Sequence, residues 1–114
     1  MDLLDPESCD RLVLVVVHLD DAGEYSDALL EGGFPHTRVN GSGGFLRGQH
    51  AVFLVAMDSA RLEDLERRTS IVCRARNEFV TLPWSGEIDL SSPIEVTVGG
   101  ATMFVLDMEK ATRL

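Results

Sequence analysis

"RLVLVVVHLDDAGEYSDALLEGG", residues 11–33, decides the fold. Its first part, 11–19, is β-branched and almost continuously apolar, as in a strand with apolar neighbours on both faces. The remainder reads as a helix. Asp20 or Asp21 is the expected N-cap, and Glu24 stands three places beyond Asp21, as in a capping box. Ala22, Tyr25 and Leu29 share one helical face, and Gly32 and Gly33 supply the stop.

The same alternation continues downstream. "FPHTRVN", 34–40, is a strand with Pro35 at its start or on an edge, since proline donates no ladder hydrogen bond. "AVFLVAM", 51–57, is a second continuously apolar strand. Asp58 or Ser59 caps a second helix whose buried stripe is Leu62, Leu65, Thr69 and Val72. Residues 79–92 form a short strand and then an irregular stretch with Pro83, Trp84 and Gly86. "PIEVTVGGATMFVL", 93–106, predicts a β-hairpin turning at Gly99-Gly100.

The order is β-α-β-β-α-β with an additional C-terminal hairpin strand. This is an α+β chain, and right-handed crossovers place both helices on one face of an antiparallel, ferredoxin-like sheet. Two helices cover one face only, yet the strands at 11–19 and 51–57 are apolar on both. A second copy is the expected cover, so the chain is expected to oligomerise through its sheets. With 114 residues there is room for one domain, read as 11–114 behind a polar extension at 1–10.

Composition narrows the function. A net charge of −9 argues against general affinity for DNA, RNA or anionic membranes. The longest apolar run, around Leu12–Val17, is too short to span a bilayer, and the start, "MDLLDPESCD", is acidic where a signal peptide is basic. Cys9 and Cys73 make no CxxC, which fits a reducing, cytoplasmic setting.

Chemistry concentrates at "NGSGGFLRG", residues 40–48, which holds four glycines. Gly43 and Gly48 have phosphate-loop spacing, but Gln49 and His50 stand where Lys and Ser/Thr are required. Gly41 and Gly43 begin a dinucleotide fingerprint that fails at Leu46. No two of His18, His36 and His50 have helical metal-ligand spacing, and no Ser/His/Asp set is recognisable, so neither a metal site nor catalysis is expected. His18 reads as structural, while His36 and His50 are placed at the base of the glycine loop.

Thr37 followed by Gly43-Gly44-Phe45-Leu46-Arg47, and far downstream Glu95-Val96-Thr97-Val98-Gly99-Gly100-Ala101 with Phe104-Val105-Leu106, resembles the PII-like cyclic-di-AMP receptors of the DarA/PstA type. The resemblance runs from Arg11 almost to the C-terminus. It implies a non-catalytic signal-transduction homotrimer with cyclic di-AMP in clefts between subunits, no other cofactor, and an unidentified protein partner. It also implies roles for residues. Gly43 and Gly44 would bring backbone N–H groups to phosphate, and Phe45 and Leu46 would cover an adenine. Thr37 offers a hydroxyl, Arg47 and Arg38 positive charge, and His50, Ala56 and Arg113 complete the set. This chain departs from the family pattern. Gly33 stands where Asn is usual, Pro35 replaces an Arg, and His50 an Asn. Ala56 replaces a Gly, and Arg113 a Gln. The loop around Trp84–Ser92 is shorter. These departures favour an alternative, a trimeric interaction or scaffold protein that has lost cyclic di-AMP or binds another nucleotide.

Overall fold

The computed structural model describes residues 6–40, 49–80 and 94–114. Strand β1 (Arg11–His18) leads into helix α1 (Leu19–Glu31), then β2 (His36–Asn40) and β3 (His50–Met57). A 3-10 turn, Ser59–Arg61, opens helix α2 (Leu62–Val72), followed by β4 (Arg76–Val80), β5 (Ile94–Val98) and β6 (Ala101–Asp107).

One sheet runs β2-β3-β1-β6 and a separate ribbon pairs β4 with β5. β1 is central. It pairs antiparallel with β3 from Arg11 opposite Met57 to His18 opposite His50, and with β6 from Arg11 opposite Asp107 to Val17 opposite Ala101. Here the expected closing hairpin is corrected. β5 does not pair with β6. It pairs with β4, Arg76 opposite Val98, and the chain then crosses to the far edge of the main sheet. Gly99 and Gly100 have φ of +80° and +90°. Only glycine adopts these angles cheaply, and here they redirect the chain between two sheets.

The alternation of β1 sorts the sheet faces. Val13, Val15 and Val17 are fully buried with Ala51, Phe53, Val55 and Met57 of β3, under Ala22, Tyr25 and Leu29 of α1 and Leu65 of α2. Leu12, Leu14 and Val16 point the other way and stay partly exposed. On that open face Leu12 lies opposite Ala56 and Leu106, and Leu14 opposite Leu54 and Phe104. Phe104 and Leu106 are 43% and 47% exposed, so the face is apolar and uncovered by the described residues.

Three polar connections lock the helical layer. Tyr25 donates its hydroxyl to Thr69 Oγ1 at 2.6 Å, and Thr69 donates to the Leu65 carbonyl at 2.7 Å, which joins α1 to α2 in the core. Arg61 lies 4.0 Å over the Phe34 ring and donates to the carbonyls of Gly32 and Gly33 (3.1 Å to Gly33). α1 has no basic residue in its last turn, so Arg61 supplies the positive charge that a helix C-terminus favours. Asp10 accepts from the Ser59 N–H at 2.7 Å and hydroxyl at 2.9 Å. These bonds hold its carboxyl below the usual range.

The N-cap also differs from expectation. His18 caps α1 in place of Asp20 or Asp21, its Nδ1 accepting the Asp20 N–H at 3.1 Å. The strand runs directly into the helix, so the cap falls on the last strand residue. Asp21 turns inward instead and takes Arg76 at 3.1 Å.

Burial pushes the Tyr25 hydroxyl from 10 up to about 12. Burial likewise pushes the Cys73 thiol from 9 up to about 12, helped by the carboxylates of Asp21 and Glu24. The folded chain therefore retains protons that the unfolded chain releases above pH 9–10. Stability from these groups is complete below that point and declines as pH rises towards 12. Urea titrations from pH 8 to 12 are expected to show this decline, and Tyr25→Phe to flatten its upper part while costing about 1 kcal/mol at pH 8.

Candidate functional site

The open sheet face carries three of the residues that the sequence singled out, Thr37, Ala56 and His50, at two separated ends. At one end a cavity of about 290 Å³ is lined by Leu12, Pro35, His36, Thr37, Leu54 and Ala56. Thr37 lies opposite Leu54 and is exposed. At the other end a cavity of about 360 Å³ is lined by Val16, His50, Gly99, Gly100, Ala101 and Thr102. Ala56 and His50 are six residues apart on β3, about 20 Å along an extended strand. Within one chain the two ends do not meet.

The other expected positions are scattered. Arg38 lies opposite Phe53, which puts it on the helix-facing side of β2, where it is exposed. Arg113 is exposed in the C-terminal segment. Gly43, Gly44, Phe45, Leu46 and Arg47 fall outside the described residues, as does the stretch around Trp84. His36 is corrected. It does not lie at the base of the glycine loop but at the start of β2, opposite Val55, a strand's length away. Its Nε2 meets Ser26 Oγ at 2.9 Å and its Nδ1 the Phe34 carbonyl at 3.0 Å. The carbonyl only accepts, so Nδ1 carries the proton and Nε2 accepts from Ser26.

His50 opens β3. Sequence reasoning missed its neighbours. His18 faces it across the β1–β3 ladder, ring centroids 6.0 Å apart. Gly99 and Gly100 line its cavity, a place that the hairpin reading would not give them. A Cβ on Gly99 would stand 2.6 Å from Arg76 Nη1, 2.9 Å from the Arg74 carbonyl and 3.2 Å from Asp21 Oδ2. The glycine therefore packs against the Asp21–Arg76 ion pair, and Asp21 is buried beside that cation.

Among the described residues no group of three or more His, Cys, Asp or Glu could hold a metal ion, and no helix is long and apolar enough to cross a membrane.

These features define a class: two helices on one face of a four-stranded antiparallel sheet, an apolar opposite face, and cavities at the sheet's ends. The chain is similar to a solved structure of a functionally unknown protein from Pediococcus pentosaceus, at 27% identity and a TM-score of 0.75, covering 94% of this chain and 99% of that one. The family itself is given by sequence: the model of the cyclic-di-AMP receptor family matches residues 10–114, and the chain belongs to that family.

Gly99→Ala meets both a positive φ and two contacts under 3.0 Å, and it displaces Arg76 from buried Asp21. It should cost about 1–3 kcal/mol. Gly100→Ala, whose Cβ would stand 3.6 Å from its nearest neighbour, meets only the dihedral strain. Denaturant midpoints should rank wild type above Gly100→Ala above Gly99→Ala.

Proposed function

We propose that the protein is a non-catalytic, PII-like signal-transduction receptor that senses cyclic di-AMP at the interfaces of a homotrimer. The family match over residues 10–114 carries this reading. The strand order β2-β3-β1-β6 supports a ferredoxin-like sheet with the β4–β5 ribbon inserted before the last strand. The uncovered apolar face supports self-association through that sheet, since burying such a face is the main favourable term in association.

Assembly also solves a problem of distance. Thr37 and Ala56 lie at one end of the open face and His50 at the other. A cleft between subunits would let the two ends come from different copies. In this reading Thr37 gives a hydroxyl to the ligand, and Phe45 and Leu46 cover an adenine. Gly43 and Gly44 admit the phosphates, Arg47 and Arg113 supply positive charge, and His50 contributes a ring nitrogen. The 41–48 segment would respond to occupancy and present a surface to a partner protein.

A second reading is favoured by one observation. Pro35 and Ala56, two departures from the family pattern, line the cavity beside Thr37. Proline brings no donor there and the alanine methyl occupies space. The protein would then be a trimeric interaction or scaffold protein that has lost cyclic di-AMP or takes another nucleotide.

Thermal melts with cyclic di-AMP, cyclic di-GMP, AMP and ATP separate the two. The receptor reading expects stabilisation of about 2.7 kcal/mol at cyclic di-AMP a hundredfold above its dissociation constant. A shift with another nucleotide alone supports the second reading, and no shift with any of them removes the sensing role. Sedimentation tests the assembly: the wild type should run as a trimer and Leu106→Glu, on the open face, as a folded monomer.

A further inference from the structure

We propose that the outer groove between α1 and α2 is a docking site for a basic, amphipathic helix of a partner protein. The groove is a cavity of about 420 Å³ lined by Glu24, Asp27, Ala28 and Glu31 of α1 and by Ile71 and Val72 of α2. It lies on the helical layer, on the far side of the sheet from the open apolar face. Self-association through that open face would leave the groove accessible.

The apolar part of the groove is Ile71, Val72 and Ala28. Ile71 is 69% exposed, although α2 turns Leu65 and Thr69 into the core. Val72 packs against the core and continues the apolar floor to Ile71, with Ala28 beside it. A lone exposed aliphatic side chain is ordinary. One that walls a groove between two helices gives the apolar stripe of a third helix a place to bury.

The rim decides the charge of that helix. Glu24, Asp27 and Glu31 follow one another at three and four residues, the spacing that keeps side chains on one side of a helix, and all three are exposed. The nearby arginines turn elsewhere: Arg61, Arg67 and Arg68 to Asp64, and Arg76 to Asp21. Among the described residues no ion pair reaches the three carboxylates. The end of α2 adds to the same sign. It stops at Val72, in the groove, with no basic residue in its last turn, so the negative end of its dipole is felt there. Arg74, just beyond, lines a different cavity with Gly100 and Met103. Carboxylates aligned on one helix face repel each other, and a cationic occupant relieves that repulsion. Lysine or arginine on the docking helix meets the rim while its leucines cover Ile71 and Val72.

The test uses the full chain, without nucleotide, and a synthetic amphipathic helix of leucine and lysine as probe. Two further peptides, one with alanine for every leucine and one with glutamate for every lysine, separate the apolar from the charged contribution. Wild type should bind the leucine–lysine peptide about tenfold more tightly than the alanine–lysine peptide and should not bind the leucine–glutamate peptide. The triple variant Glu24→Gln, Asp27→Asn, Glu31→Gln should weaken binding about tenfold. Ile71→Ser should weaken it by a similar factor. A control with the same charge change at exposed positions outside the groove, Glu63→Gln, Glu95→Gln, Glu109→Gln, should weaken it by less than about threefold. Equal losses in the two triple variants would mean diffuse attraction to an acidic protein and would overturn the proposal. So would equal binding of the alanine and leucine peptides, or no binding of either. In wild type the amide resonances of residues 24–31 and 71–72 should shift on titration, and shifts confined to other residues also overturn it, a readout that needs no variant. None of these outcomes bears on nucleotide sensing, which the thermal melts test separately.

Discussion

β1 lies at the centre of a sheet that is apolar on both faces, and the described helices cover one of them. On the covered side Val13, Val15 and Val17 are sealed beneath Tyr25, Leu29 and Leu65. On the other side Leu12, Leu14 and Val16 face outward with Leu54 and Leu106. Hydrophobic burial favours covering that second face, and nothing within the described chain does so. The cavities that hold Thr37 and His50 open on this same face. Whatever covers the sheet therefore also shapes the site.

The ribbon β4–β5 adds a second constraint. It leaves α2, pairs with itself, and returns through Gly99-Gly100 to place β6 beside β1. Two glycines at positive φ make that passage, and the Asp21–Arg76 pair fastens it to the start of α1. A carboxylate turned into the core is costly unless paired, so the ribbon's first residue and the helix's first turn stabilise each other. The same passage lines the His50 cavity. A local choice of glycine thus sets both the chain path and the wall of a pocket.

The receptor family matches residues 10–114. Pro35 and Ala56 share one cavity with Thr37, and His50 lines the other. Side chains around a cavity decide what a fold can hold without touching its core. The core residues, from Val13 to Phe53, are ordinary apolar packing and would suit many ligands or none.

Elements that depend on nearest neighbours were legible in the residues. Period and composition place both helices and strands at 11–19 and 51–57, within a residue of β1 and β3, because a strand's alternation and a helix's stripe are local facts. The Gly32-Gly33 stop is legible for the same reason, and Gly33 adopts φ of +72°. The unsatisfied second face also followed from sequence, by counting apolar faces against helices. Three things required the tertiary structure. Ile94–Val98 and Ala101–Asp107 are adjacent, and a two-glycine turn joins them, yet their partners are β4 and β1. Hydrogen bonding across strands is decided by what lies alongside, which spacing does not encode. His18 became the N-cap because strand and helix abut without a linker, leaving Asp21 free to turn inward. The facing of His18 and His50 is a matter of register, residues far apart in the chain brought level by a ladder whose alignment is set by burying valines on one side.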